Sequence, residues 1–187
     1  MKSEIVKQSI LLFEKKGFST TSIQDIVDEL DVTKGTFYYY YSSKEQLLMD
    51  IHEEYITKLL EAQYEIINRS YTSYKDQLIE IIRLIITDIV ENGSSARVFF
   101  REMRHLSEKH IKIIKEKRKQ FRWNIESIVE EGIKHGEIRD DLRPDMISFG
   151  IVGITNWSYN WYKTEGEVTP EQLVSIYSKM ILTGIEK

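Results

Sequence analysis

Thr33-Lys34-Gly35-Thr36-Phe37-Tyr38-Tyr39-Tyr40-Tyr41-Ser42-Ser43-Lys44-Glu45-Gln46-Leu47-Leu48 decides how the rest of this sequence is read. Thr33 is a favoured helix cap, and the residues after it predict a short helix over about 34–40. Ser42 and Glu45 have the spacing of a capping box, which opens a long helix from roughly Ser43 to Asn68. Upstream, Ile5, Ser9, Leu12 and Phe13 share one face of a first helix, about Lys2 to Lys16, with Gly17 as its left-handed stop. Thr21 and Gln24 predict a second capping box and a short helix carrying Ile23, Ile26, Val27 and Leu30. Asp31 and Val32 make a tight turn into Thr33. Three short helices, the last two joined by a three-residue turn, form a helix-turn-helix.

In such a unit the second helix of the pair enters the major groove and presents its N-terminal residues to base edges. Lys34 and Thr36 stand there, with Gly35 between them removing a side chain where something approaches closely. Tyr38, Tyr40 and Tyr41 offer hydroxyls to phosphates and rings for packing. Lys44 begins the next helix, where a phosphate also meets exposed backbone amides. Four consecutive tyrosines equally suit a strand or an aromatic core. A short helix packed on one face resolves this by turning one or two rings inward.

Spacing adds more. Phe18-Ser19-Thr20-Thr21, Ile23, Ile26, and then Val32-Thr33-x-Gly35-Thr36-x-Tyr38-x-Tyr40-Tyr41-x-x-Lys44-Glu45-x-Leu47 resemble the DNA-binding domain of TetR-type transcriptional regulators over roughly Ile5 to Leu48. Tyr41 stands where that family usually has Phe, Asp31 where it often has Gly, and Val27 and Leu30 where Ala is usual. Aspartate tolerates left-handed backbone, so the turn survives the change. The resemblance implies that Thr21, Tyr40 and Lys44 anchor phosphates and that Thr33, Lys34, Thr36 and Tyr38 face the groove. Lysine can donate to guanine O6 and N7, which makes Lys34 the leading base contact.

Charge does not carry this reading. The chain has 187 residues with 26 Lys and Arg against 30 Asp and Glu, a net −4. Met1 to Asp50 holds six lysines against eight acids, whereas Arg97 to Arg122 holds ten basic residues against three glutamates. DNA binding by the first segment therefore rests on motif. Cysteine is absent, which removes disulfide scaffolds and thiolate metal sites. The first 17 residues alternate Lys and Glu without an apolar core, unlike a signal peptide. The least polar stretch, Met146 to Thr155, is shorter than the roughly 20 residues a bilayer span needs. A cytoplasmic protein with no membrane partner and no cofactor is expected.

The remaining helices are punctuated clearly. Ser73 and Asp76 open one with Leu78, Ile81, Ile82, Ile85 and Ile89 inward, closed by Asn92-Gly93. A short segment spans Ala96 to Leu106, and Ser107 caps a long basic helix to about Lys134. Pro144 starts a helix to about Tyr162, and Thr169-Pro170-Glu171-Gln172 starts the last. The expected architecture is all-α, with a DNA-binding domain over 1–50, an effector-binding and dimerisation domain over 51–187, and the boundary inside the long fourth helix.

In TetR-type proteins the C-terminal helices pair two subunits and enclose an effector pocket, which implies a homodimer on palindromic double-stranded operator DNA. Met146, Ile147, Phe149, Gly150, Gly153, Ile154, Trp157 and Trp161 form one apolar stripe, and Leu173, Ile176, Tyr177, Met180, Ile181, Gly184 and Ile185 another. Phe99, Phe100, Met103, Phe121, Trp123, Phe149 and Trp157 are candidate pocket walls or plain core. Arg101, Arg104, Lys112, Lys115, Lys119 and Arg122 flank them, either as a solvated face or as a site for an anionic head on an apolar tail. Arg101 and Lys119 are the candidates for holding its phosphate. Gly136-Glu137-Ile138-Arg139 through Trp157, Trp161 and Tyr162 resembles the subset of these regulators that senses acyl-coenzyme A thioesters. An uncharged hydrophobic effector, such as a drug, stays open. The resemblance implies a repressor released by its effector.

An enzyme reading has one foothold, Glu102-x-x-His105, the spacing used by di-iron bundles. Those need a second such pair and two further glutamates, and His52, His110 and His135 lack a glutamate three residues before them. No catalytic residue is assigned.

Overall fold

The computed structural model describes all 187 residues as helices and their connections. They are α1 Lys2–Lys16, α2 Ile23–Asp28, α3 Lys34–Tyr40, α4 Lys44–Ile67, α5 Tyr74–Glu91, α6 Gly93–Arg101, a 3-10 turn Met103–His105, α7 Glu108–Lys134, α8 Pro144–Asn156, α9 Ser158–Trp161 and α10 Pro170–Ile185. No helix is long and apolar enough to cross a membrane. Packing divides the chain into two compact units: 1–56 with 94–115, and 57–93 with 116–187. The segment from Ser94 to Lys115 thus belongs with the N-terminal helices.

Several helix starts differ from the sequence expectation by one residue. The α2 cap is Ser22 with Asp25, not Thr21 with Gln24. Thr21 is buried, and its hydroxyl donates to the Gly17 carbonyl at 2.8 Å, so the exposed serine is left to cap. At α4, Ser43 accepts from the Gln46 amide at 3.1 Å in place of the expected Ser42–Glu45 box. Gly17 has φ 85° and ψ 154°, a glycine-only extended geometry and not the helical left-handed stop. Asp31 does adopt positive φ, at 52°. The expected helix from Pro144 to Tyr162 breaks at Trp157 into α8 and α9.

In the first unit, Ile5, Phe13, Ile26, Phe37, Leu47, Leu48 and Phe99 form the core. Polar ties hold its helices in register. Lys16 pairs with Asp25 at 2.9 Å, linking α1 to α2, and Arg97 pairs with Glu14, linking α6 to α1. Hydrogen bonds from the Ser22 hydroxyl and from Lys16 hold the Asp25 carboxyl well below the usual carboxylate range. His52 is fully buried, its Nδ1–H donating to the Leu48 carbonyl at 2.9 Å. Burial lowers its proton affinity, outweighing the carbonyls of Leu48 and Phe99, so the ring is neutral.

In the second unit α5 is the central helix, with α8, α9 and α10 packed on it. Its buried set, Leu78, Ile81, Ile82, Ile85, Ile86 and Ile89, is wider than one stripe because neighbours cover more than one face. Gln63, fully buried, donates to the Phe121 carbonyl at 2.9 Å and accepts from Asn124 at 2.7 Å, fixing α4 against α7. The loop after α7 acts as a clasp. Glu137 accepts from the first amide of α5, Tyr74, at 2.8 Å. Ile138 forms an antiparallel bridge with Glu186, and the Arg139 amide donates to Ile185 at 2.8 Å. Gly132 leaves room for this loop, because a β-carbon there would lie 2.6 Å from Ile138 Cδ1.

Gly132→Ala is therefore expected to destabilise the protein by about 1–3 kcal/mol, the usual cost of overpacking a filled site. Ile138→Val removes the colliding methyl group, so the double variant should lose less than the two single losses added. Urea denaturation midpoints measure both, and strict additivity would show that the contact is not the cause.

Candidate nucleic-acid interface and apolar pairing face

Helix α3 is only seven residues long, too short to persist alone, so tertiary packing must hold it. Phe37 is completely buried and Tyr41, four residues on, is 2% exposed, their rings 5.9 Å apart. Those two rings fix the inward side. The opposite side carries exposed Lys34, Gly35, Tyr38 and Tyr39, with Tyr39 at 81% exposure the most solvated aromatic residue of the chain. Thr36 and Tyr40 are half-buried at its edges, and Tyr40 meets the Tyr39 ring edge-on at 4.8 Å. Thr33 caps the helix, its Oγ1 accepting from the Thr36 amide at 3.4 Å.

Gly35 would meet only Thr33 Oγ1, at 3.4 Å, if it carried a β-carbon. The chain itself leaves that space open, so an outside surface can approach the backbone there. Burial, with the charges of Asp50 and Glu54, pushes the Tyr41 hydroxyl up to about 12. Tyr41 thus serves the core as a neutral ring.

Two residues expected at phosphates are placed otherwise. Thr21 is buried with its hydroxyl committed to the carbonyls of Gly17 and Leu12, so it does not reach the surface. Lys44 Nζ donates to the carbonyls of Phe18 at 2.7 Å and Thr21 at 2.6 Å, and lies 4.2 Å from the centre of the Phe18 ring. Burial lowers its proton affinity, partly offset by Glu45 and Asp25. The surface side chains that sequence reasoning passed over are Tyr39 and Ser22. Tyr39 was hidden in a run of four identical residues, and Ser22 by the equally good cap beside it.

The nine candidate ligand residues divide between the two units. Phe99, Phe100, Arg101 and Met103 belong to the first unit, where buried Phe99 packs on Tyr55 at 4.7 Å, His52 at 5.4 Å and Phe100 at 5.2 Å. In the second unit Phe121 is buried core, while Trp123, Phe149 and Trp157 are exposed. Lys119 lies 4.2 Å from the Trp123 ring centre. Arg122 lies 4.3 Å from that of Phe149, donates to Ser148 at 2.9 Å and pairs with Glu126. Both cations therefore have partners on their own surface. Glu102 and His105 do meet, Oε2 to Nε2 at 3.3 Å, but no third metal-binding side chain joins them.

Helices α8, α9 and α10 leave an apolar face uncovered. Met146, Phe149, Ile154, Trp157, Trp161, Ile176 and Met180 are each between 38% and 60% exposed. Gly150, Gly153 and Gly184 face open space. Seven large apolar side chains exposed on three helices packed against α5 are more than scattered surface residues usually supply.

Comparison with known proteins agrees with this geometry. Residues 5–51 match the description "Bacterial regulatory proteins, tetR family", and residues 71–185 match "Tetracyclin repressor-like, C-terminal domain". The transcriptional repressor KstR2 of Mycolicibacterium smegmatis is 25% identical over 186 residues, spanning 98% of this chain and 90% of that protein. The solved structure of the ketosteroid transcriptional regulator KstR2 of Mycobacterium tuberculosis has a TM-score of 0.91 at 24% identity, covering 100% of this chain and 95% of the other. That of AibR in complex with isovaleryl coenzyme A and operator DNA has a TM-score of 0.84 at 24% identity, covering 96% of each chain. The exposed α3, the helical C-terminal half and the two matches lead to one conclusion: the chain belongs to the tetR family of bacterial regulatory proteins.

Proposed function

We propose that this regulator is a homodimeric repressor that reads a palindromic operator with α3 and leaves it when a small effector binds. The carrying observation is the outward edge of α3, where Thr33, Lys34, Thr36, Tyr38 and Tyr40 border a glycine-lined surface backed by Phe37 and Tyr41. Lys34 and Tyr38, four residues apart, share a face. Lys34 reads a base, and the threonine and tyrosine hydroxyls position the helix on sugar and phosphate. The uncovered face of α8, α9 and α10 pairs two copies, matching the two-fold symmetry of a palindrome.

The effector reading favoured is an acyl-coenzyme A thioester. It is supported by the cations around aromatic side chains between Arg97 and Arg122, and by AibR, a fold neighbour solved with isovaleryl coenzyme A. In this reading Arg101 or Lys119 holds phosphate, and the apolar side chains of the same unit, Phe99, Phe100 and Met103 or Phe121 and Trp123, are available to the acyl chain. A second reading, an uncharged hydrophobic effector, is favoured by the local partners that Lys119 and Arg122 already have. Either effector can shift DNA binding only by its differential affinity for two arrangements of the dimer. α4, which contributes residues to both packing units, is the lever in this scheme.

Lys34→Ala should cost about 1–3 kcal/mol in affinity for a duplex selected by the wild-type protein from a random pool, and relax preference at one position per half-site. Unaltered preference in a second selection would remove Lys34 from base reading. Trp157→Glu places a charge on the pairing face, so sedimentation velocity should show a monomer; a dimer as tight as wild type would move pairing elsewhere. Isovaleryl and long-chain acyl-coenzyme A, titrated into the protein–duplex complex, should release the duplex by fluorescence anisotropy. The combined variant Arg101→Ala with Lys119→Ala should respond more weakly while binding DNA normally without effector. No release at saturation would leave the uncharged effector as the standing reading.

A further inference from the structure

We propose that Lys44 is a positioning residue, one that locks the α1–α2 turn to the start of α4 so that α3 is held in register, and not a phosphate anchor. This rests on the reading of α3 as the DNA-contacting helix. The ammonium group has three hydrogens. Two are directed at the carbonyls of Phe18 and Thr21, at 2.7 and 2.6 Å, in short charge-assisted bonds. The same nitrogen stands 4.2 Å from the centre of the Phe18 ring, which is itself buried and packed edge-on against Phe13 at 5.2 Å.

The Thr21 carbonyl needs an outside donor, whereas that of Phe18 also accepts the Thr21 amide within the turn, at 3.3 Å. Thr21 directly precedes the Ser22 cap of α2, so its carbonyl lies outside the ladder of either flanking helix. The Lys44 contacts span 26 and 23 residues of sequence, and α2 and α3 lie between their ends. One side chain thereby closes a loop around the helix-turn-helix. Swinging the ammonium fully onto a phosphate would mean leaving two carbonyls and an aromatic ring together, so only its third hydrogen is left for an outside acceptor. Thr21 adds to the same closure, its hydroxyl bonded to Gly17 on the other side of the turn.

Phosphate anchoring and positioning leave different marks on binding. Loss of a phosphate contact weakens all sequences alike and reduces the salt slope by about 0.9 per contact, so about two for a dimer. Loss of a positioning residue weakens the selected duplex more than a random one and leaves the slope as it was, because no counterion release is lost. A lysine needed only for stability lowers the melting temperature and leaves both affinities of the folded protein unchanged.

Lys44→Met keeps the stem and removes the donors and the charge. Phe18→Leu disturbs the seat of the ammonium without altering any charge, and decides the matter if the methionine variant does not fold. Affinities are measured by anisotropy between 50 and about 200 mM salt, the range over which counterion release is read. The duplex selected by wild type is compared with a random-sequence duplex of equal length. Both variants should lose about tenfold or more on the selected duplex and about twofold on the random one, with unchanged slopes. Equal loss on both duplexes with a flattened slope for Lys44→Met would overturn the positioning role alone, as would unchanged affinities beside a lowered melting temperature. Failure of the wild-type protein to select any duplex would instead bring down the DNA-binding reading, and this proposal with it.

Discussion

The burial of Phe37 and Tyr41 under α3 is the constraint on which the rest of the first unit depends. A seven-residue helix has no stability of its own, so the two rings, one helical turn apart, determine whether it exists and which way it faces. What is left for a groove is then the other side and its edges: Thr33, Lys34, Gly35, Thr36 and Tyr38 to Tyr40. The neighbouring ties serve this arrangement. Lys16–Asp25 aligns α1 with α2, and Arg97–Glu14 sets α6 on α1. With a net charge of −2 over residues 1–50, the helix-turn-helix segment can draw little affinity from general attraction to DNA. Placement of the few exposed groups has to supply what charge does not.

Local chemistry made most of the helix plan legible. Thr33, Ser73, Ser107 and Thr169 cap as their spacing indicates, since a cap needs only residues within three positions of itself. At Thr21-Ser22, two polar residues side by side, burial of the threonine set the choice, which sequence periodicity does not contain; at Ser42-Ser43 the helix simply begins one residue later. The helix break at Trp157 was likewise unreadable, because no proline or glycine marks it.

The site residues divide along the same line. The outward placement of Lys34, Gly35 and Tyr38 was legible because a short helix with known inward rings leaves few outward positions. Lys44 was not. Its partners are main-chain carbonyls more than twenty residues away, and carbonyls carry no sequence signature. The candidate effector residues suffered the opposite problem. Aromatic and basic residues alternate along 97–123 at helical spacing, yet tertiary packing sends Phe99 and Phe121 to cores and ties Lys119 and Arg122 to exposed rings.

The clasp formed by Glu137, Ile138 and Arg139 has a consequence for the order in which the chain becomes structured during synthesis. All the residues of the first unit have been made once Lys115 is added, so its helices can pack while the remainder is still being translated. The second unit has no such early opportunity. The first turn of α5 waits 63 residues for the carboxylate of Glu137, and the bridge at Ile138 waits for Glu186. Until α10 arrives, the isoleucine-rich faces of α5 lack one of their main covers. A nascent chain paused in that interval presents a finished α3 beside an unfinished, sticky half, which is the moment at which a chaperone has most to protect.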